Sequence, residues 1–115
     1  KDLERGTAIT GAHLTGAHLR LPGFSGIDGP TLEIFQYDPE VERAVGGVKV
    51  NRQGFGHIAF AVDDVAEAQK KVIESGGGII GEIVELKIPT GDIVRWCYVT
   101  DPEGNVIELQ SWKKP

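Results

Sequence analysis

Methionine is missing from all 115 residues, so Lys1 is not expected to be a native start, and further sequence is expected upstream of it. Cysteine occurs once, as Cys97, which excludes an intrachain disulfide. The opening Lys1-Asp2-Leu3-Glu4-Arg5 does not read as a signal peptide. With no pairing of cysteines either, the cytoplasm is the expected compartment. Positive charge is scarce: 12 Lys and Arg stand against 17 Asp and Glu, a net −5, and no basic run occurs. Nucleic acid and anionic membrane surfaces, which call for a basic face, are therefore not expected as partners. Long apolar runs are also lacking, and none approaches the roughly 20 residues that a membrane-spanning helix needs. Glycine is plentiful at 16 and implies many tight turns. The length suits a single domain with a modest core.

The second half has a regular order. Gly56 to Val62 alternates as a strand, with Ile58, Phe60 and Val62 on one face. Asp64, with Glu67 three residues on, resembles a capping box. Val65, Ala68, Val72 and Ile73 then recur at helical spacing as far as Ser75. Gly76-Gly77-Gly78 stops the helix. Ile79 to Ile88 is β-rich, Pro89-Thr90-Gly91-Asp92 is a turn, and Ile93 to Thr100 is a further strand. Asp101-Pro102-Glu103-Gly104-Asn105 turns the chain into a last strand, Val106 to Trp112. The expected order is β-α-β-β-β.

The first half shows only part of it: a short strand at Thr7 to Ile9, a strand over Gly11 to Leu21, a loop, and a strand over Thr31 to Tyr37. The stretch from Tyr37 to Phe55 reads as a linker with one helical turn near Glu40 to Ala44. The halves nevertheless match. Thr31-Leu32-Glu33-Ile34-Phe35-Gln36-Tyr37 aligns with Val106-Ile107-Glu108-Leu109-Gln110-Ser111-Trp112, each a glutamate between apolar residues with an aromatic four positions later. The two glutamates are offset by 75 (108 less 33), which carries His57 back to about position −18, upstream of Lys1. The initial strand and helix of a first module are thus expected outside this chain.

Alternation also sorts the polar groups. His57, Ala59 and Ala61 share one face, as do Glu108, Gln110 and Trp112, and Glu33, Phe35 and Tyr37. A carboxylate in mid-strand between apolar residues is costly unless paired or coordinated. Two at equivalent repeat positions, plus one histidine on the same kind of face, make an oxygen and nitrogen set for a divalent metal. Each taken singly also fits an edge residue, a salt-bridge partner or a structural histidine. His13 and His18 lie on one strand, five residues apart, and should point to opposite faces; both read as structural or surface residues. Arg20, Arg43, Arg52 and Arg95 read as solvated charge, and Trp96, Tyr98, Trp112 and Phe35 fit pocket lining or core alike. Cys97, between aromatics in mid-strand, is expected to be buried and inert.

The run from Gly56 to Val65 and that from Asp101 to Leu109 resemble the second module of the glyoxalase, bleomycin resistance and extradiol dioxygenase superfamily, also called vicinal oxygen chelate proteins. Leu32 to Tyr37 resembles the closing strand of the first module. The resemblance implies an α+β fold of paired βαβββ modules around a U-shaped half-barrel, the first module here lacking its initial strand and helix. One domain would span 1–115, with the incomplete first module at 1–37, a linker at 38–55 and the complete module at 56–113. It also implies that Glu33, His57 and Glu108 ligate one divalent ion (zinc, nickel, cobalt, manganese or iron), with the fourth ligand upstream of Lys1.

By the same resemblance, Glu33 and Glu108 are the catalytic groups of a glyoxalase I-like (lactoylglutathione lyase-like) lyase or isomerase that moves a proton on a small molecule. A homodimer is implied too. The alternatives are an extradiol dioxygenase, a methylmalonyl-CoA epimerase-like racemase, whose group usually has glutamine where Glu33 stands, and a metal-free binding protein of the antibiotic-resistance type.

Overall fold

The computed structural model describes residues 2–24, 29–38, 40–42 and 49–114. The chain is α+β and divides into two compact units, Lys1–Arg43 and Ala44–Pro115. Among the described residues no helix is long and apolar enough to cross a membrane.

The second unit runs β1 (Ile58–Ala61), α1 (Val65–Glu74), β2 (Gly78–Lys87), β3 (Ile93–Thr100) and β4 (Val106–Lys113). This is the β-α-β-β-β order expected from the sequence. The Asp64 carboxylate caps α1 by accepting from the backbone N–H groups of Ala66 and Glu67 at 2.9 and 3.1 Å, two donors the first turn leaves unpaired. At the other end Gly76, at φ +92°, donates to the Ile73 carbonyl, and Gly77 donates to that of Val72. This crossed pair satisfies the last carbonyls. The two glycines are needed for different reasons. Gly76 supplies the left-handed turn, whereas a Cβ on Gly77 would meet the Thr100 carbonyl oxygen at 2.3 Å and Val72 Cγ1 at 2.5 Å. Gly77→Ala is therefore expected to lower stability by about 1–3 kcal/mol, read as a shift in the denaturation midpoint.

The four strands form an open sheet in the order β1-β4-β3-β2, with β1 parallel to β4 and the other pairs antiparallel. The tight Asp101–Asn105 turn sets the β3–β4 register: Asp101 Oδ1 accepts from the Glu103 and Asn105 backbones, both at 2.9 Å. Helix α1 covers one face of the sheet. Val65, Cys97, Val99 and Leu109 are buried beneath it, with Phe60, Val62, Ala68, Val72, Ile83 and Ile107 around them. Burial of these side chains, at roughly 25 cal/mol per Å² of apolar surface, holds helix to sheet. Cys97 belongs to this aliphatic core, because its aromatic neighbours Trp96 and Tyr98 point to the opposite face. Burial pushes its thiol above the usual range; a hydrogen bond from Gln69 opposes that shift and the Glu108 charge adds to it. Strand β2 carries an irregularity between Ile80 and Val84, where Gly81 has φ +65°.

The first unit contains α2 (Asp2–Thr7) and an antiparallel pair, β5 (His13–Arg20) with β6 (Thr31–Asp38). The expected strand at Thr7 to Ile9 is not there. Asp2 and Glu4 in the first turn and Arg5 in the last suit a helix dipole, and the Thr7 hydroxyl donates back to the Leu3 carbonyl at 2.8 Å. Of the helical turn expected near Glu40 to Ala44, residues 40–42 carry no regular structure and the rest lies outside the described residues.

Candidate metal centre

The sheet face away from α1 collects polar and aromatic side chains, as strand alternation requires. Register places Ala59 and Tyr98 on either side of Glu108, and Ala61 and Trp96 on either side of Gln110. His57, one residue before β1, reaches across the small Ala59 to the carboxylate. Its Nε2 lies 3.0 Å from Glu108 Oε2. The pair is half-buried, with side chains 30% and 17% exposed, so its hydrogen bond is shielded from bulk water more than a surface contact would be. The Tyr98 ring meets the imidazole edge to face at 4.9 Å, and Trp96 meets Tyr98 in the same way at 5.2 Å. Behind the carboxylate, the Gln110 amide approaches Glu108 Oε1 at 3.5 Å, and the Trp112 indole N–H donates to Gln110 Oε1. A line of partners thus runs from Trp112 to His57 and fixes the glutamate.

Nitrogen and carboxylate donors are a set that first-row divalent ions accept. Two donors about 2.1 Å from one ion lie roughly 3.0–3.4 Å apart at octahedral or tetrahedral angles, and the His57–Glu108 separation of 3.0 Å falls within that range. His57 and Glu108 are thus two donors of the right kind and spacing for one divalent ion, and among the described residues no third His, Cys, Asp or Glu side chain joins them.

Glu33 lies in the first unit, as the third residue of β6. Its cross-strand partner is His18, whose Nδ1 stands 3.1 Å from Glu33 Oε1. Of the three residues singled out as ligands, His57 and Glu108 meet directly, and the described contact of Glu33 is with His18. The two histidines of β5 do point to opposite faces: His18 shares the face of Glu33, Phe35 and Tyr37, while His13 is paired with Asp38 on the other. Reading His18 as only a structural or surface residue missed its contact with Glu33. The signal was the hairpin register, which pairs positions 18 and 33 once His13 is set opposite Asp38.

Comparison with known proteins gives a consistent result. The lactoylglutathione lyase of Escherichia coli is 38% identical over 87 residues, 69% of this chain and 62% of that protein. The probable lactoylglutathione lyase of Synechocystis is 34% identical over 87 residues, 69% of this chain and 64% of that protein. This chain thus spans less than two thirds of the length of these relatives. A crystal structure of a glyoxalase family protein from Bacillus cereus superposes with a TM-score of 0.78 at 23% identity, covering 97% of this chain and 70% of that one, and so shares its fold. The family model described as Glyoxalase/Bleomycin resistance protein/Dioxygenase superfamily matches residues 3–109, and the chain belongs to that superfamily.

Proposed function

We propose that the protein is a divalent-metal-dependent lyase or isomerase of the glyoxalase I type, acting by proton transfer on a small molecule with neighbouring oxygens. The observation that carries this reading is the His57–Glu108 pair, two donors at metal-sharing distance on the face opposite the core. Its similarity to lactoylglutathione lyases points the same way, and makes the thiohemiacetal of a 2-oxoaldehyde the proposed substrate class. In this reading Glu33, His57 and Glu108 hold the ion. The bound ion, one of zinc, nickel, cobalt, manganese or iron, supplies electrophilic stabilisation of negative charge on a substrate oxygen.

The chain's own groups do the rest. Glu33 takes a proton from one carbon and returns it to the neighbouring carbon, and its repeat counterpart Glu108 takes over part of that transfer when Glu33 is lost. Gln110 and Trp112 keep the Glu108 carboxylate from rotating, and Tyr98 holds the His57 ring in its plane. A cytoplasmic homodimer is part of the same proposal.

The test is anaerobic turnover of a 2-oxoaldehyde–thiol adduct in deuterated water by the metal-loaded protein. Solvent deuterium in the product is the expected result. Oxygen consumption with a catechol, and no exchange with the adduct, would establish the dioxygenase alternative instead.

A further inference from the structure

The hairpin of the first unit is built around Glu33 in a way that its repeat counterpart is not. In the second unit the residue opposite Glu108 on the antiparallel neighbour is Tyr98; in the first, the residue opposite Glu33 is His18. Next along the same face, Gly16 is opposite Phe35. A Cβ on Gly16 would fall 2.4 Å from Phe35 Cδ1 and 2.0 Å from the Ile34 carbonyl oxygen, so the phenyl ring lies over the glycine in space that no other residue leaves. From there Phe35 meets the His18 imidazole at 5.3 Å and 69°. Held against that ring, His18 turns Nδ1 to Glu33 Oε1 at 3.1 Å.

Both side chains are more than half exposed, at 63% and 53%. A contact of that kind contributes only about 0–1 kcal/mol to stability.

We propose that His18 is a positioning residue for Glu33: its Nδ1–H holds Oε1, leaving Oε2 to bind the ion or accept the substrate proton. This inference rests on the reading of Glu33 as ligand and base. It goes beyond that reading in giving Glu33 a dedicated partner that is not itself a ligand. Carboxylates that bind metals are commonly oriented by such hydrogen bonds, and losing one typically costs about 10- to 100-fold in metal affinity.

The experiment is a cobalt(II) titration of the full chain against a chelator, followed by visible absorption, with thermal melts to show that each variant is folded. His18→Leu is expected to weaken cobalt binding about 10- to 100-fold. His18→Asn should recover most of the loss, since its amide N–H stands where Nδ1–H stood. Phe35→Leu should weaken binding less, in the same direction, and reads the arrangement without touching His18. In a Glu33→Ala background His18→Leu should add nothing.

Four results would overturn the proposal. If Glu33→Ala weakens binding and His18→Leu does not, the positioning role is wrong and the reading of Glu33 stands. If His18→Leu costs further affinity in the Glu33→Ala background, His18 acts on its own account. If His18→Asn is as poor as His18→Leu, the donated hydrogen bond is not what matters. If Glu33→Ala leaves cobalt binding unchanged, Glu33 is not a ligand and the inference falls with that reading.

Discussion

His57→Ala and Glu108→Ala are each expected to abolish stoichiometric metal binding, with affinity falling by more than about 100-fold, beyond what the loss of a supporting hydrogen bond typically costs. The two donor atoms stand 3.0 Å apart, so truncating either removes one donor and the hydrogen-bond partner that orients the other. Folding should survive. Both side chains lie on the face opposite the core of Val65, Cys97, Val99 and Leu109, so alanine opens no cavity there. The hydrogen bond lost contributes only about 0.5–1.5 kcal/mol net. Elemental analysis after dialysis should therefore find about one transition metal ion per wild-type site and none in either variant, with thermal midpoints close together. Wild-type protein free of metal at neutral pH, with both variants unchanged in ligand affinity, would favour the metal-free binding-protein alternative.

How far this was legible in the sequence differs between the units. Helix α1, strands β3 and β4 and the turn between them follow from local chemistry: an aspartate cap, glycines beyond the last turn, and Asp101 closing a loop on Asn105. Alternation alone put His57, Glu108 and Gln110 on one face, and the strand pairings agree. Alternation does not reveal register, however. A hairpin whose connection is longer than a two-residue turn leaves the partner of Glu33 open, so His18 was rightly read as a surface residue but its contact with Glu33 was not foreseen. The same limit applies to Cys97. Its sequence neighbours are aromatic, but the pleat turns them away, and its actual surroundings are the mostly aliphatic side chains under α1, with Phe60 among them. The strand expected at Thr7 to Ile9 is absent, although these residues favour β structure: Thr7 closes α2, whose acidic first turn and basic last turn lie before that stretch.

Glu33→Gln is the variant expected to separate binding from chemistry. The amide keeps an oxygen that can coordinate, so part of the metal should remain; it has no basic site for a proton. If Glu33 is the base, solvent deuterium incorporation into a 2-oxoaldehyde–thiol adduct should fall about 100- to 10,000-fold, the usual contribution of a positioned general base. The drop should be in kcat, with KM little changed, because the lost interaction belongs to the transition state. Some exchange should persist through Glu108, which occupies the equivalent place in the repeat and is held by His57 and Gln110. Glu33→Gln/Glu108→Gln should remove that residue of activity. The assay must be run without oxygen and with metal content measured for each variant, so that a lost ion is not read as a lost base. Exchange unchanged in Glu33→Gln at full metal occupancy would show that the proton is moved by another group, and Glu33 would then be at most a ligand.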